Sequence, residues 1–335
     1  MTPDCIPRCQ STRGLWLIFC ALWLVWVPAA SADWRLVKVN GRDFVRGSDI
    51  KTFYAFQSYS VSGNRVLFKL PNFYMSGTIG SQELSIKGVK FIMSFPMLAH
   101  GGEALVSRTD LVKLIDPVLR PDYIKGSPDF NTIVIDAGHG GHDSGAKGAF
   151  GVEKHFALAT AKLVAADLKA KGYKVVMTRS TDTFISLPGR ATVANANPRA
   201  IFVSIHFNQS DNAGARGIET FALAPAGTAS TIKRWAEPNL GKRLGNRRDA
   251  ENIALATAVH NGVLRRVAAT KPVDRGIKRA RFSVISGVTI PGILVEGGFV
   301  GHPEEGKLVA HPAYQKLLAE GIVLGIENYR KAIHK

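Results

Sequence analysis

The sequence predicts an α/β fold in which a mainly parallel, twisted sheet is covered by helices on both faces and is preceded by a small β-rich or α+β domain. From Thr132 onward, short apolar runs typical of buried strands alternate with longer amphipathic runs typical of helices, which favours a parallel sheet. Residues 33–120 instead contain short alternating runs separated by Gly, Asn, Ser and Pro, which is a strand-and-turn pattern. A stretch without periodicity, containing proline and glycine, separates the two parts.

Residues 1–32 have the order of a secretory signal peptide. Arg8 and Arg13 precede an apolar run over residues 15–27, and the small-residue pattern Ala30-Ser31-Ala32 follows. We therefore expect cleavage after the last of these residues. An uncleaved membrane anchor is the alternative, because the apolar run and the small residues after it are just long enough to span a bilayer.

Residues 33–120 are predicted to form the small β-rich accessory domain. A short helix over residues 107–115, with Ser107 as its N-cap, is expected to close it. Through Val39-Asn40-Gly41 and the stretch Val106-Ser-Arg-Thr-Asp-Leu111, this part resembles the small N-terminal domain of copper-amine-oxidase type that is attached to various exported bacterial enzymes. That resemblance leaves two roles open, a module that binds or positions the enzyme on the wall and a packing domain without a ligand. Residues 121–131 are predicted to be the linker.

Residues 132–332 are predicted to form the catalytic domain. Strands are predicted at Ile133–Asp136, Lys174–Thr178, Ile201–Ile205, Ile218–Leu223 and Gly292–Glu296. Helices are predicted at Val152–Lys171, Leu187–Ala196, Ala250–Ala268 and Pro312–Ala332. Ligands of parallel sheets gather outside the carboxyl ends of the strands, and His139, His206 and Glu296 all lie at such ends.

Two histidines and one glutamate make up the predicted metal centre. His139 follows the first strand in the glycine-rich turn Gly138-His-Gly-Gly141, His206 ends the third strand, and Glu153 opens a helix. Two imidazoles and one carboxylate are the ligand set of an open, catalytic Zn2+ site. A phosphate-binding loop fits poorly, because neither the P-loop spacing nor a complete GxGxxG is present. For Glu153 alone, a favourable interaction with the helix dipole is the alternative role.

Glu296 is the predicted catalytic base. It ends the apolar run Ile293-Leu-Val-Glu296 and precedes two glycines. Burial of a carboxylate there is costly unless a cation or a proton compensates its charge. A general base that takes a proton from zinc-activated water, and later returns it to the departing amine, explains a glutamate at this position.

Several separate motifs occur together and in one order: Val134–Ala146, Glu153-Lys154, Thr178-Arg179 with Asp182, Leu187 with Arg190, Ser204–Asn208 and Val295–Phe299. They resemble the zinc-dependent N-acetylmuramoyl-L-alanine amidases of the cell-wall type. The resemblance implies a phosphorylase/hydrolase-like amidase domain with one Zn2+ per chain, bound by His139, Glu153 and His206, and Glu296 as the catalytic acid/base. It also implies that peptidoglycan is cut at the amide between the lactyl group of N-acetylmuramic acid and the L-alanine of the stem peptide.

Four residues match family positions without a settled role: Arg179, Asp182, Arg190 and Asn208. Substrate contact or support of the site is one interpretation. An internal ion pair or a helix cap explains the first three equally well, and a turn-forming asparagine explains the fourth. Three more histidines could lie near the metal, but surface or capping roles are favoured for them: His142, His155 and His302.

The charge and the cysteines bear on location and partners. Lys and Arg number 43 against 26 Asp and Glu, a formal charge of +17, which attracts polyanions. An exported protein rarely meets nucleic acid, so anionic wall polymers or lipid head groups are the expected partners, with simple solubility as the equal alternative. All three cysteines lie in the leader, so no disulfide or cysteine ligand is expected. We expect location in the periplasm or cell wall, with no integral membrane segment after cleavage.

Residues 225–249 form an insertion rich in Ala, Gly, Lys and Arg. Some amidases of the resembled family carry a regulatory helix here that occludes the zinc until an activator protein removes it. Residues 230–237 are therefore one hypothesis for such a helix, and a basic lip of the cleft is the other.

Two alternatives to the amidase function also stay open. They are a zinc peptidase or deacylase acting on other wall peptides or small amides, and a wall-binding protein descended from an enzyme.

Overall fold

The computed structural model describes residues 34–124, 129–232 and 239–334, so the predicted leader lies outside the described residues. The first part contains β1 (Leu36–Val39), β2 (Arg42–Arg46), α1 (Gly47–Phe53), β3 (Ser58–Ser62), β4 (Arg65–Lys69), β5 (Tyr74–Thr78), β6 (Glu83–Ile86), β7 (Val89–Ile92), β8 (Leu98–His100), β9 (Glu103–Ser107), α2 (Arg108–Asp110), a π-helical turn (Leu111–Ile115), α3 (Asp116–Leu119) and a 3-10 turn (Pro121–Tyr123). The second part contains β10 (Thr132–Ala137), β11 (Lys147–Gly148), β12 (Gly151–Val152), α4 (Glu153–Ala170), β13 (Lys174–Met177), α5 (Leu187–Asn195), β14 (Ala200–Asn208), β15 (Ile218–Leu223), a 3-10 turn (Leu244–Arg248), α6 (Asp249–Val267), a 3-10 turn (Ala268–Thr270), β16 (Asp274–Ala280), α7 (Ser283–Ser286), β17 (Gly292–Phe299), α8 (Pro303–Ala310) and α9 (Pro312–Ile333).

One mixed sheet of eleven strands runs through the described residues in the order β13-β10-β14-β17-β15-β16-β7-β6-β5-β4-β3. Strands β13, β10, β14 and β17 are parallel to one another. Strand β15 is antiparallel to β17, and β16 is parallel to β15. The predicted α/β class with a mainly parallel sheet in the second part is therefore confirmed.

Helices cover both faces of this sheet, which explains why its strands are apolar on both sides. On β10, Ile133 and Ile135 pack into one core with Phe156 of α4, whereas Val134 packs into a second core with Ala191 of α5. A strand buried on both faces has an almost continuous apolar sequence, as Thr132–Ala137 has. Helices α4, α6 and α9 form one layer and α5 and α7 the other.

The first part is joined to the second through the sheet itself. Strand β7 pairs in parallel with β16, with Phe91 opposite Ile277. A smaller antiparallel sheet, β1-β2-β9-β8, completes the first part. The division into an accessory domain at 33–120 and a linker at 121–131 stays a prediction, but hydrogen bonding between strands is continuous across it.

Strand β16 was not predicted, and neither was α8. Residues 274–280 carry Arg275, Lys278 and Arg279 instead of alternating apolar residues. Arg279 is only 1% exposed, and Lys278 is paired with Glu219. Because the compensating carboxylate lies on another strand, the sequence of β16 alone carries no strand signal.

The end of the first part agrees with the predicted cap. Ser107 Oγ accepts a hydrogen bond from Asp110 N at 3.0 Å, so it caps the helical segment as expected.

Among the described residues, no helix combines the length and the apolar character needed to cross a membrane.

Candidate metal centre and active-site cleft

Three side chains from separate elements meet at the carboxyl ends of β10 and β14. His139 Nε2 lies 3.0 Å from Glu153 Oε1, and His206 Nδ1 lies 2.8 Å from the same oxygen. The three candidate ligand atoms lie within 4.8 Å of one another. This donor set could hold a metal ion, and its chemistry fits Zn2+ with at least one coordination position left for water or substrate.

Two glycines allow this close approach. A Cβ at Gly138 would lie 2.4 Å from Cε1 of His206, and a Cβ at Gly145 would lie 2.5 Å from Oε2 of Glu153. Gly145 also has a φ of +62°, a conformation that favours glycine. His139 itself has a φ of +59°, which is uncommon for a residue with a side chain. We call residues 138–145 the histidine loop.

Further hydrogen bonds fix the orientation of the candidate ligands. Asp143 Oδ2 lies 2.9 Å from Nδ1 of His139, on the side of the ring away from Glu153. Glu153 Oε2 accepts from Ala146 N at 2.8 Å, and Oε1 accepts from Phe207 N at 3.0 Å. A carboxylate on the second nitrogen of a metal-binding imidazole fixes its tautomer and orientation. Asp143 was not predicted as a site residue, although a carboxylate four residues after the histidine in a glycine-rich loop was the available signal.

The electrostatics keep the carboxylate of this group ionised. Burial of Glu153 disfavours its charged form, but the imidazoles of His139 and His206 outweigh burial and hold the pKa of Glu153 well below its usual range. Burial also lowers the pKa of His139, while Glu153 and Asp143 outweigh that effect and raise it above its ordinary value. An ionised Glu153 is ready to bind a cation.

A buried ion pair lies beneath the histidine loop. Asp136, at the end of β10, is fully buried and accepts hydrogen bonds from the hydroxyls of Thr178 and Ser204, each at 2.6 Å. Arg190 Nη1 of α5 lies 2.7 Å from the same carboxylate. The Arg190 guanidinium also donates to the carbonyl oxygens of Ala137 and His139, each at 2.6 Å. Arg190 therefore ties α5 to the backbone of the loop that carries His139.

Arg179 holds the same loop from the other side. Its guanidinium donates to the carbonyl oxygens of Ala137, Gly138 and Lys154 at 2.7–2.9 Å. Arg179 and Arg190 are 4% and 3% exposed, and neither lines the cleft. Asp182 accepts from Gly141 N at 2.9 Å and from Lys154 Nζ at 2.6 Å on the outer side of the loop. These contacts fit support of the loop better than contact with substrate.

A second buried charge cluster supports the end of β14. Asn208 Nδ2 donates to Glu219 Oε1 at 2.5 Å, while Glu219 Oε2 pairs with Lys278 at 2.5 Å and Arg275 at 2.8 Å. Burial raises the pKa of Glu219, but Lys278 and Arg275 outweigh it and hold that pKa below its usual range. Sequence reasoning missed Glu219, because its three partners are distributed over two other strands.

Glu296 lines the same cleft as the candidate metal group. On β17 it is in register with His206 of β14 on one side and with Glu219 of β15 on the other. The cleft has a volume of about 590 Å3 and is lined by all four predicted site residues, His139, Glu153, His206 and Glu296. Its walls are largely apolar, formed in part by Leu187, Phe207, Phe282, Val284 and Leu294. Such a cleft can hold an amide substrate between a metal and a carboxylate.

The three other histidines lie outside the His-Glu-His group. The His142 ring packs on Phe184 at 4.2 Å between centroids, and His155 Nε2 lies 3.8 Å from Asp182 Oδ2. His302 Nδ1 accepts from Glu305 N at 3.2 Å and caps α8. The capping role that the sequence analysis favoured therefore describes His302.

The fold and the site together define a protein of the α/β class with a group of side chains suited to a divalent metal ion. Residues 133–328 match the family model described as N-acetylmuramoyl-L-alanine amidase. The N-acetylmuramoyl-L-alanine amidase AmiA of Escherichia coli strain K12 is 30% identical over 252 residues, which span 68% of this chain and 86% of AmiA. This chain belongs to the N-acetylmuramoyl-L-alanine amidase family, and it is an enzyme that hydrolyses an amide bond.

Solved structures agree with this assignment. The amidase AmiC2 of Nostoc punctiforme aligns with a TM-score of 0.50 at 34% identity, covering 62% of this chain and 99% of that one. An N-acetylmuramoyl-L-alanine amidase from Clostridium difficile 630 aligns with a TM-score of 0.50 at 35% identity, covering 60% and 97%. Both alignments cover about as many residues as the second part of this chain contains.

Proposed function

We propose that this protein is an exported, zinc-dependent peptidoglycan amidase. It cuts the amide between the lactyl carbonyl of N-acetylmuramic acid and the amino group of L-alanine in the stem peptide. The observation that carries the proposal is the meeting of His139, Glu153 and His206 in a cleft that Glu296 also lines. Membership of the amidase family supplies the bond type.

His139, Glu153 and His206 would hold the zinc ion. A bound zinc ion polarises a carbonyl oxygen and makes water a nucleophile near neutral pH. The protein supplies the rigid frame for it, because Asp143 orients His139 and two backbone amides orient Glu153. With the donors fixed in advance, little reorganisation is needed when the ion binds.

Glu296 would act as the general base and then as the general acid. In the first step it takes a proton from the attacking water, and in the second it gives that proton to the nitrogen of the departing alanine. Its register opposite His206 places it at the same level of the sheet as a candidate metal ligand. The buried Glu219 is already neutralised by Lys278 and Arg275. It therefore supports the strand and does not exchange protons.

Export is proposed from the sequence of residues 1–32, whose basic, apolar and small-residue segments follow the order of a signal peptide. Location in the periplasm or cell wall follows from the substrate. An activator protein acting through the insertion at 225–249 is a further hypothesis. Residues 233–238, within the suggested regulatory helix, lie outside the described residues.

Digestion of defined muropeptides by the purified protein, followed by mass spectrometry, tests the proposed activity. We expect release of an intact stem peptide with a new N-terminal alanine, and a newly formed lactyl carboxylate on the muramic acid. Cleavage inside the stem peptide, or removal of an acyl group from the sugar, would instead identify a peptidase or a deacylase. The matched control is Glu296→Gln, which should lose turnover by about 100- to 10,000-fold while it retains one zinc per chain.

A further inference from the structure

A second cavity adjoins the catalytic cleft and is strongly basic. It has a volume of about 650 Å3 and is lined by Lys242, Arg243, Leu244, Arg247, Arg281, Ser283, Ser286 and Gly287. Four of these eight lining residues are cations, and none of the eight is acidic. We call this cavity the basic groove.

Among the residues that the structure describes, three of the four cations have no compensating carboxylate. Lys242, Arg243 and Arg247 are exposed, and within the described part of the chain none of them forms an ion pair. The carboxylates that follow in the sequence are occupied elsewhere, since Asp249 pairs with Lys113 at 3.3 Å and Glu251 pairs with Arg248 at 2.9 Å. A concave surface with charges of one sign raises the local concentration of the opposite charge.

The groove is continuous with the cleft that holds the reacting bond. Arg281 and Ser283 line both cavities. Arg281 is fixed by donation to the carbonyl oxygens of Pro225 and Thr228, each at 3.3 Å, and of Gly241. A substrate bound in the cleft can therefore extend past Arg281 into the groove.

We propose that the basic groove binds the free carboxylates of the stem peptide. This inference rests on the proposed amidase function and adds to it a preference for stem peptides that keep their carboxylates. Once the lactyl carboxyl is joined in an amide, the glycan on that side of the scissile bond carries no charge. The peptide on the amine side carries a C-terminal carboxylate, so the positive groove matches that side alone.

The continuity of the groove with the cleft argues against a separate anionic wall polymer as the ligand of the groove. Such a polymer needs a basic surface, but it needs no shared wall with the cleft. The peptide side of the bound substrate needs both, and the groove has both. The groove therefore also orients the substrate, with the peptide toward Arg247 and the sugar toward the opposite end of the cleft.

Two N-acetylmuramoyl peptides that differ only in a C-terminal carboxylate or carboxamide test the proposal. For the unmodified enzyme we expect a kcat/KM about fivefold higher for the carboxylate at low salt, and a smaller ratio at high salt. In the triple variant K242A/R243A/R247A the ratio should fall to about one, because the C-terminal carboxylate then gains nothing from the groove. The matched control is Arg265→Ala, which removes an exposed charge near the far end of α6, about 24 Å along the helix from Asp249.

The possible outcomes separate the two levels of the proposal. Absence of cleavage of both substrates by the unmodified enzyme would contradict the amidase function itself. Cleavage of both with a ratio that the triple variant leaves unchanged would overturn the groove assignment alone. The groove assignment would also be overturned if Arg265→Ala reduced the carboxylate-to-carboxamide ratio as much as the triple variant does. Loss of binding to an inorganic polyphosphate in the triple variant, with an unchanged carboxylate ratio, would assign the groove to a separate polyanion instead.

Discussion

The histidine loop and the basic groove lie beside the same cleft but differ in whether their charged side chains are buried and paired. Beneath the loop, Asp136 and Arg190 neutralise each other, and Arg190 also donates to the backbone carbonyl of His139. In the groove, Lys242, Arg243 and Arg247 are exposed and, among the described residues, lack carboxylate partners. Paired, buried charges fix a geometry, whereas unpaired, exposed charges remain free to meet a ligand. Mutations should therefore have large, salt-insensitive effects in the loop and small, salt-dependent effects in the groove.

The largest effect is expected for His139→Ala. Removal of one of three candidate ligands should abolish stable zinc binding and lower kcat/KM by at least about 1,000-fold, because the ligands act as a unit. Atomic emission measures the zinc content, and turnover of a muropeptide measures kcat/KM. His155→Ala, which removes an exposed histidine near the same loop, serves as the control and should keep both properties. Full zinc content in His139→Ala would contradict the assigned ligand set.

Arg190→Ala should destabilise the fold more than it alters any contact with substrate. It leaves the Asp136 carboxylate buried without its cation, and loss of one partner of a buried pair costs about 3–5 kcal/mol. Urea unfolding followed by circular dichroism gives the free energy of unfolding. Arg199→Ala, which removes an exposed arginine from the same part of the chain, should change that free energy by less than about 0.5 kcal/mol. Equal losses in the two variants would show that the pair does not support the loop.

Asp143→Asn should weaken metal binding without loss of the fold. The amide can no longer act as a charged partner of His139 Nδ1, and loss of such a partner typically costs about 10- to 100-fold in metal affinity or activity. Competition with a zinc chelator measures the affinity. An affinity that matches that of the unmodified protein would mean that the interaction of Asp143 with His139 is incidental.

Glu219→Gln should give a smaller effect that depends on pH. The pKa of Glu219 is lowered in the folded protein, so its ionised form contributes stability above its unfolded pKa of about 4.3, and this contribution is lost as the pH falls through the folded pKa. The unmodified protein should therefore be more stable than Glu219→Gln at pH 7, and the difference should shrink in acid. Urea unfolding at pH 7 and below pH 4 gives this difference. A difference that is the same at both values would contradict the charge pairing with Lys278 and Arg275.

The smallest effect on stability is expected for Arg247→Ala. An exposed cation without a carboxylate partner contributes little to the folded state, so the free energy of unfolding should change by less than about 0.5 kcal/mol. Its consequence should appear only in the preference for carboxylate substrates. A loss of stability comparable to that of Arg190→Ala would remove the contrast between the loop and the groove.

The sequence predicted those features that local patterns encode. His139 and His206 each end an apolar run, and such runs identify parallel strands whose carboxyl ends converge, so the cluster and the α/β class were accessible in advance. Strand β15 was predicted with its observed bounds, and β10 and β14 within a few residues. The prediction failed where the stabilising partner is distant in sequence. Strand β16 depends on Glu219, more than fifty residues before its lysine, and no window along the chain contains both.

The pairing of β7 with β16 has a consequence for how this enzyme can be shortened. A fragment that began at residue 132 would keep every candidate ligand but would leave one long side of β16 bare. Its amide and carbonyl groups there would be open to a strand from another molecule, which is a known route to aggregation. By pairing with β16, strand β7 covers this side and shields it from a strand of another molecule.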